Sequence, residues 1–414
     1  MTTLTDDQKE VQKAFRKFYT SPEQFLTIDG AAGTGKSTVL NLISENNLAY
    51  QETLKLLQPS YKVREIVFTA VTNKAVNELA AKINNPFITV KTIYSLLSLR
   101  PTKGGLTHTR SVSLLQSHFK NSIVVIDECS LMDDELCSII LNIAEESSIK
   151  FMFVGDSNQL PPIGQDSISQ TFGVNNIVKL NQVVRQQDAL LQVVTQFRDF
   201  VELDKYPQFV PDNVTTLHLP RDEFDEMIKK DMTSPGWSNK DSRFVAFDNT
   251  TVNKYNKLIK AHITGSSAIQ AGEMVVNNSY INPSRSGITI PTEAMVFVSQ
   301  VQEAFRLVPC YVYDVIYKNE TLQLWMPKTE QDAKSLKKKL EAGEGNDYLR
   351  RSLGDLRPIY ASTVHKAQGS TFKRVYVDLN SIKKCKHFNP LLFKRLLYVA
   401  VSRASEQIIF TGDI

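Results

Sequence analysis

Residues 30–37, GAAGTGKS, have a spacing that can bind phosphate groups. The segment fits G-x-x-x-x-G-K-[ST] and stands between an apolar run, FLTIDG, and a helical pattern from Lys36 to about Ser44. Glycines let backbone N–H groups close around phosphate oxygens, while the lysine reaches the β- and γ-phosphates and the serine hydroxyl ligates magnesium. The pattern predicts an ATP and Mg²⁺ site at Gly30, Ala31, Ala32, Gly33, Thr34, Gly35, Lys36, Ser37 and Thr38.

An acidic pair, Asp127 and Glu128, follows the apolar run SIVVI. An acidic residue at this place holds magnesium in enzymes that use a phosphate loop. We therefore predict that Asp127 holds the ion, directly or through water, and that Glu128 orients or deprotonates the attacking water. With Lys36 these residues form a candidate catalytic set for hydrolysis of a nucleoside triphosphate.

Alternating strand-like and helix-like segments would bring these residues to one edge of a sheet. Apolar runs at 25–30, 122–128 and 150–156 each end in a polar residue or glycine, and 65–70 is a further buried-strand candidate. Such runs, flanked by helices, indicate a parallel sheet covered on both faces, which binds ligands at the carboxyl ends of its strands. The residues at those ends are Gly30, Asp127, Glu128 and Asp156.

The second half of the chain repeats the alternation around a β-rich interruption. Strand-like runs at 242–247, 374–379 and 406–412, with helical segments at about 250–262 and 390–401, predict a second α/β domain. Between about 264 and 355 the pattern changes to short β-rich pieces that are typical of a small barrel. In the first half, the polar stretch 100–120 carries turn residues and predicts a hairpin outside the first sheet.

Composition bounds the class of protein. Of 414 residues, 42% are hydrophobic and 22% are charged, which is ordinary for a soluble globular protein, and no long apolar run predicts a membrane span. The four cysteines are scattered, so we expect neither a zinc site nor a disulfide framework, and a reducing cytoplasmic setting. The net charge of +4 argues neither for nor against nucleic acid, because a basic groove can exist within a balanced total.

Two other classes with a phosphate loop fit the sequence poorly. A GTPase should carry an Asn-Lys-x-Asp motif, but Asn73-Lys74 is followed by Ala-Val. A nucleotide kinase would be much shorter and would not need a second α/β domain. The loop by itself therefore indicates an ATPase whose purpose must be inferred from the rest of the chain.

Short motifs along nearly the whole chain resemble the signature motifs of superfamily 1 helicases. They are LTDDQ at 4–8, TNKA at 72–75, TIYS at 92–95, GDSNQLPP at 155–162, VVRQQ at 183–187, AFDN at 246–249, STVHKAQGS at 362–370 and YVAVSRA at 398–404. Their order and spacing are most similar to the RecD-like branch, superfamily 1B, and within it to the Dda-type helicases of T4-like phages. The resemblance implies an ATP-dependent DNA helicase that moves 5′-to-3′ on single-stranded DNA and separates duplex DNA during replication or recombination.

The same resemblance implies a domain organisation. We expect an α/β protein with two RecA-like P-loop domains in tandem, a hairpin or wedge insertion in the first and an SH3-like β-barrel insertion in the second. The expected bounds are 1–185 for domain 1A with insertion 1B at 97–120, 186–263 and 356–414 for domain 2A, and 264–355 for domain 2B.

Further nucleotide-site residues follow from the resemblance. Gln8 would recognise adenine, and Gly369 belongs to a motif beside the nucleotide. Arg185 and Arg403 are candidates to reach the γ-phosphate and stabilise its charge, as arginine fingers do. Gln159 could sense the same phosphate. Because arginines from beyond the phosphate loop act only on a closed cleft, ATP would close the cleft and hydrolysis would reopen it.

A second set of residues is expected to contact DNA on the face away from ATP. Small polar side chains near strand ends suit hydrogen bonds to phosphates, and aromatic rings suit base stacking. The candidates are Thr72, Asn73, Lys74, Thr92, Tyr94, Pro101, Phe247, Asn249, Thr363 and His365. Core packing explains Phe247 as well as stacking does. The expected partners are single-stranded DNA, forked duplex DNA and a single-strand-binding protein or other replication proteins, with no membrane.

Two departures from the family pattern concern unwinding more than translocation. Val71 stands where the first DNA motif usually has proline, and the wedge offers only Leu106 or His108 at its tip. Two alternatives therefore stay open. One is a translocase that displaces bound proteins and unwinds poorly, and the other is a nucleic-acid-binding switch gated by ATP.

Overall fold

The structure is a computed structural model that describes residues 4–85, 88–102, 105–108, 119–182, 189–208, 210–283 and 288–413. The helices in these ranges are α1 (Asp6–Thr20), α2 (Lys36–Leu57), α3 (Asn73–Ala80), α4 (Ile93–Leu96), α5 (Asp134–Glu146), α6 (Ala189–Leu203), α7 (Arg221–Met232), α8 (Asn249–Thr264), α9 (Glu330–Glu341), α10 (Asp347–Arg351), α11 (Val364–Ala367), α12 (Leu379–Lys383) and α13 (Pro390–Val401). The strands are β1 (Phe25–Gly30), β2 (Glu65–Ala70), β3 (Lys91–Thr92), β4 (Leu99–Thr102), β5 (Gly105–His108), β6 (Ser122–Asp127), β7 (Lys150–Gly155), β8 (Ile177–Leu180), β9 (Thr216–His218), β10 (Ser242–Ala246), β11 (Met274–Asn277), β12 (Met295–Arg306), β13 (Val308–Tyr317), β14 (Glu320–Pro327), β15 (Leu356–Arg357), β16 (Ala361–Thr363), β17 (Phe372–Asp378) and β18 (Ala404–Thr411).

The first sheet is parallel and has the order β3-β2-β6-β7-β1-β8. The apolar runs that predicted β1, β2, β6 and β7 are these strands, and every residue of β7 is buried. In the register, Asp29 pairs with Gly155 and Ala70 pairs with Asp127. The carboxyl ends of four neighbouring strands therefore meet at one edge, which is where a parallel sheet binds its ligands.

Helix α2 begins at Lys36, as predicted, but continues to Leu57 rather than ending near 44. Its apolar residues Tyr50 and Leu54 pack against the buried cluster that contains Val39 and Leu40. No proline occurs between Lys36 and Pro59, so no proline ends the helix earlier. The prediction ended too soon because it followed only the first buried turns.

The second sheet has the order β16-β10-β17-β18-β9. Strand β10 pairs in parallel with β16 and β17, as the second alternating region predicted. Helix α8 starts where the side chain of Asp248 accepts a hydrogen bond from the Thr251 amide, and it ends at Gly265, whose φ of 70° is left-handed. These two caps fix the ends of α8, which is therefore slightly longer than the predicted segment at about 250–262.

The β-rich stretch forms a separate antiparallel sheet with the order β14-β13-β12-β11-β15. Its inner face buries alternate residues such as Val296 and Val298 on β12 and Leu322 and Leu324 on β14. The predicted change from α/β alternation to β-rich structure is thus confirmed. An SH3-like barrel topology for this insertion stays a prediction.

The predicted hairpin outside the first sheet is formed by β4 and β5, in which Leu99 pairs with His108. Residues 103–104 and 109–118 of the predicted 97–120 insertion lie outside the described ranges. The Glu135 carboxylate on α5 accepts a hydrogen bond from the Leu106 amide at 2.6 Å. This hydrogen bond ties β5, the second strand of the hairpin, to helix α5.

The chain folds as two compact units. Unit 1 comprises the described residues of Met1–His218, Ala367–Thr371 and Ile382–Ile408, and unit 2 comprises those of Leu219–Lys366, Phe372–Ser381 and Ile409–Ile414. Parts of the later motifs therefore belong to the same unit as the phosphate loop. The domain bounds expected from the sequence stay a prediction. Within the described ranges, no helix combines the length and apolarity that a membrane crossing requires.

Candidate functional site

The phosphate loop of unit 1 is tightly packed. Gly33 and Gly35 both have φ of 84°, which is a left-handed conformation that glycine adopts without strain. A Cβ on Gly35 would collide with the side-chain amide of Gln8. A Cβ on Gly30 would lie 2.9 Å from both Leu180 Cβ and Thr34 Oγ1. Gly33 and Gly35 are therefore required for the left-handed backbone, and Gly30 is required because neighbouring atoms approach it closely.

Lys36 and Thr34 hold the loop from inside. The Lys36 ammonium donates hydrogen bonds to the carbonyl oxygens of Gly30 and Ala31, the latter at 3.2 Å. The Thr34 hydroxyl donates to the Ala31 carbonyl at 2.9 Å. The ammonium thus lies over the loop in which the motif predicted it would hold phosphate oxygens.

Gln8 connects α1 to the loop. It is 2% exposed, and its Nε2 donates to the Thr34 carbonyl at 3.1 Å. Its Oε1 accepts from the Thr5 amide at 3.2 Å, which completes a capping box at the start of α1. Both polar ends of the side chain are therefore occupied by the protein. Adenine recognition by Gln8 stays a prediction. It would require Gln8 to replace one of these two hydrogen bonds with a hydrogen bond to the base.

The acidic pair lies at the end of β6. Glu128 has a left-handed backbone with φ of 55°, and its amide donates to Asp127 Oδ1 at 2.9 Å. Burial, followed by the charge of Glu128, raises the pKa of Asp127 to about 6, and the positive charge of Lys36 partly offsets this rise. Two carboxylates in a buried setting favour a cation between or beside them. Asp127 and the Ser37 hydroxyl offer the oxygen ligands that magnesium prefers.

Two residues from later motifs contact this region of unit 1. Gly369 has φ of 80°, and a Cβ built on it would lie 3.8 Å from Glu128 Oε1. Its backbone therefore passes beside the acidic pair. Gln159 is 4% exposed, and its Nε2 lies 3.3 Å from Asp156 Oδ2. The Gly369 backbone and the Gln159 side chain both come to the predicted site from distant parts of the sequence.

Arg403 is buried in unit 1. Its guanidinium donates to the carbonyl oxygens of Val399 at 3.1 Å and Ser370 at 3.2 Å, and to the Ser402 hydroxyl at 2.7 Å. Burial raises the pKa of the Glu78 carboxyl, and the positive charge of Arg403 is among the smaller effects that oppose this rise. Arg185, the other predicted arginine, lies outside the described residues.

Several residues of this site were assigned no role from the sequence; Tyr398 and Gln368 lie within the quoted motifs, and Arg395 lies just before one of them. Tyr398 and Gln368 are buried beside the phosphate loop and Gln159, respectively. Arg395 is buried beneath the Gln159 backbone, whose carbonyl accepts a bond from its guanidinium. For Arg395 and Tyr398 the available signal was polarity, because both interrupt the apolar stretch 391–401; Gln368 stands among polar residues and gave no such signal.

The DNA candidates in unit 1 mostly cap helices. The hydroxyls of Thr72 and Thr92 each accept a hydrogen bond at 3.1 Å, from the amides of Ala75 and Ser95, and so start α3 and α4. Asn73 and Lys74 form the first turn of α3. Tyr94 packs against a buried cluster, and burial raises its pKa to about 12. The side chain of Pro101 lies outside the described part of the chain.

The DNA candidates in unit 2 lie at the ends of β10 and β16. The rings of Phe247 and His365 are 6.5 Å apart, and burial lowers the pKa of His365. Asn249 Oδ1 accepts from the Arg357 guanidinium at 3.2 Å, and Thr363 Oγ1 accepts from the Lys366 amide at 3.3 Å. Phe247 is half-buried, so stacking and packing both remain open for its ring.

Two family models match separate parts of the chain. Residues 3–200 match the family model of an AAA domain, and residues 358–411 match that of a UvrD-like helicase C-terminal domain. The chain is 23% identical over 465 residues to the ATP-dependent DNA helicase dda of Enterobacteria phage T4, across 98% of this chain and 99% of that protein. It is 29% identical over 147 residues to the RecBCD enzyme subunit RecD of Buchnera aphidicola, across 34% of this chain and 23% of that protein.

A solved structure has the same fold. The Pif1 helicase from Bacteroides, crystallised with ADP-AlF3 and ssDNA, matches with a TM-score of 0.54 at 16% identity, across 100% of this chain and 94% of that one. The fold and the two family models together define a two-domain P-loop helicase. The family models and the dda and RecD relatives support a superfamily 1B helicase related to Dda, and the match to an AAA domain fits ATP hydrolysis.

Proposed function

We propose that this protein hydrolyses ATP to move 5′-to-3′ along single-stranded DNA and to separate the strands of forked duplex DNA. ATP-dependent DNA helicase activity is supported by the relatives, which include the dda helicase and RecD. The observation that carries the proposal is the position of Gly369. Its backbone, from the second half of the chain, lies beside Glu128 in the unit that holds the phosphate loop.

In the proposed hydrolysis site, the loop amides and Lys36 bind the phosphates. Ser37 and Asp127 would hold Mg²⁺, which neutralises phosphate charge when it is bound. Glu128 orients the attacking water and accepts its proton. Gln159 donates to the γ-phosphate, and Gln8 and Gly369 contact the nucleotide. These roles rest on the oxygen chemistry of the acidic pair and on the position of Lys36 over the loop.

Arg403 and Arg185 stabilise negative charge on the leaving phosphate in this proposal. The guanidinium of Arg403 is bound to two carbonyl oxygens and a hydroxyl. Charged phosphate oxygens are stronger acceptors than these neutral groups, so ATP can draw the side chain away from them. The exchange would couple ATP binding to movement of the segment that carries Arg403.

The proposed DNA contacts are mainly to phosphates. Thr72, Asn73, Lys74 and Thr92 in unit 1, and Asn249, Thr363 and His365 in unit 2, would track one strand without reading its sequence. Tyr94 and Phe247 would stack on bases, and Pro101 would stand near the strand. Alternating grips on the strand, driven by ATP binding and hydrolysis, move it one step at a time.

Strand displacement tests the direction and the activity together. Substrates carry the same duplex with a 5′ tail, a 3′ tail or no tail. We expect ATP-dependent displacement with the 5′ tail only. Displacement of the substrate with the 3′ tail alone would show that the protein moves 3′-to-5′. ATP turnover that single-stranded DNA does not stimulate would contradict helicase activity. A role in replication or recombination, with a single-strand-binding protein as partner, is part of the same proposal.

A second candidate, a translocase that displaces bound proteins and unwinds poorly, is favoured by one observation. Leu106 packs against a buried cluster of unit 1, and its amide is held by Glu135. It is therefore not free to act as the tip of a wedge. ATP-dependent removal of streptavidin from a biotinylated strand, without duplex separation, would favour this candidate.

A further inference from the structure

A series of hydrogen bonds between buried side chains crosses unit 1 from the phosphate loop. It begins at Tyr398 on α13, which is fully buried. The Tyr398 hydroxyl accepts from the Ala32 amide at 3.0 Å and donates to Asp156 Oδ2 at 2.7 Å. One hydroxyl thus joins a backbone amide of the loop to the carboxylate that follows β7.

Asp156 is the second member. It is 1% exposed, and its Oδ2 also accepts from Gln159 Nε2 at 3.3 Å. Its Oδ1 accepts from the Asn158 amide at 3.0 Å. A buried carboxylate needs such donors, because leaving its oxygens unpaired costs more than an ordinary hydrogen bond.

The carboxylate fixes the orientation of the Gln159 amide. An ionised carboxylate only accepts, so Gln159 must turn its NH₂ group toward Asp156 and its oxygen away. That oxygen accepts from Gln368 Nε2 at 3.0 Å, and the same Nε2 lies 3.4 Å from the Ser130 hydroxyl. Ser130 is two residues beyond Glu128, so the series ends beside the acidic pair.

We propose that Tyr398 and Gln368 are positioning residues of the ATPase site, which hold Gln159 with its donor side presented to the terminal phosphate. This inference rests on the proposed function. If Gln159 turned by 180°, its carbonyl oxygen would face the phosphate oxygens and could form no hydrogen bond with them. Gln368 opposes that turn because its NH₂ group pairs only with an acceptor.

The backbone around Gln159 is held independently of these two side chains. The Arg395 guanidinium donates to the Ser157 carbonyl at 2.6 Å and also to the Gln159 carbonyl. Asp29 accepts from the Ser157 amide at 2.9 Å and from its hydroxyl at 2.8 Å. Removing the Tyr398 hydroxyl should therefore disturb side-chain orientation more than the fold.

The test uses Tyr398→Phe with a matched control in unit 2. Tyr376 is also fully buried, and its hydroxyl donates to the Asp231 carboxylate at 2.9 Å, so Tyr376→Phe removes an equivalent bond elsewhere. Thermal unfolding of both variants, the affinity for a fluorescent ADP, and the steady-state kcat and KM with single-stranded DNA are measured. We expect Tyr398→Phe to lower kcat about 10-fold, in the range seen when a partner that orients a site residue is removed.

In the same variant, the ADP affinity should stay within about two-fold of wild type, because the γ-phosphate interaction alone is weakened. Tyr376→Phe should leave kcat unchanged at a similar loss of thermal stability. Equal kcat for the two variants would overturn the inference. A loss of ADP affinity that accounts for the whole effect would also overturn it, because the hydroxyl would then only shape the loop.

Gln368→Glu is the second test variant. It keeps the shape of the side chain but replaces the NH₂ donor that faces Gln159 with a carboxylate oxygen, which accepts. It should lower kcat at least as much as Tyr398→Phe, again without loss of ADP affinity, and wild-type kcat would overturn the role of Gln368. Lys36→Ala is measured beside them. If that variant still turns over at the wild-type rate, the proposed function fails. If it is inactive while Tyr398→Phe equals Tyr376→Phe, only the positioning inference fails.

Discussion

The nucleotide site and the candidate DNA contacts are built differently. Around the phosphate loop, buried side chains such as Gln8, Gln159 and Tyr398 bond to one another and to the loop backbone within unit 1. The DNA candidates are divided between the two units, and several of them hold only their own helix ends, as Thr72 and Thr92 do.

This difference has a physical origin. Breaking a phosphate bond requires charges fixed to a fraction of an ångström in a site that excludes water, so the supporting residues are interlocked. A strand that must slide needs many weak contacts that can each be released. Substitutions in the first set should therefore have large and non-additive effects, whereas those in the second set should be small and roughly additive.

Lys36→Ala is the substitution with the largest expected effect. It removes the ammonium that lies over the loop, so the β- and γ-phosphates lose their cationic contact. Hydrolysis of ATP, measured with saturating single-stranded DNA, should fall to the background of the assay. Lys9→Ala, at an exposed ion pair on α1, is the control and should keep full turnover. A Lys36→Ala enzyme that works normally would refute the site.

Arg403→Ala should come next. ATP should still bind, because the loop is intact, but kcat should fall by about 10³–10⁵-fold if the guanidinium reaches the leaving phosphate. Binding of a fluorescent ATP analogue and single-turnover hydrolysis separate the two steps. An unchanged kcat would leave Arg403 as a purely structural residue bound to the carbonyls of Val399 and Ser370.

Thr72→Ala has the smallest expected effect and tests the other side of the comparison. Loss of the N-cap should cost about 1 kcal/mol of stability, and loss of a phosphate contact should weaken single-strand binding a few-fold. Thr329→Ala is a matched control, because Thr329 caps α9 through its hydroxyl in the same way. It should lose similar stability with no change in DNA affinity. If both variants bind DNA equally well, Thr72 is only a cap.

Much of the fold was accessible from the sequence because the parallel strands are continuous apolar runs. The bounds of β1 and β2 coincide with the runs FLTIDG and EIVFTA, and α13 coincides with its predicted segment. The predicted length of α2 was too short. The later turns of this helix are held by tertiary contacts of Tyr50 and Leu54 rather than by a strong local pattern. Segment length is where packing overrides local signals.

The phosphate loop was also accessible, because its chemistry lies within eight consecutive residues and depends on backbone amides. The residues that support it were not. Tyr398 reaches Ala32 across 366 positions and Gln368 reaches Gln159 across 209, and no local pattern encodes such partners. The polarity of Tyr398 within an apolar stretch signalled only that its hydroxyl must have a partner, and Gln368, which stands among polar residues, gave no such signal.

The sequence by itself determined which local segments form strands, where the phosphate loop lies and which superfamily the chain resembles, because periodicity and short motifs are properties of neighbouring residues. Only the tertiary structure decided which side chains complete the site. It brought Gly369 to Glu128, occupied both ends of Gln8 and fixed the orientation of Gln159 through Asp156 and Gln368. The physical reason is that a buried donor or acceptor takes its partner from whatever the fold places beside it.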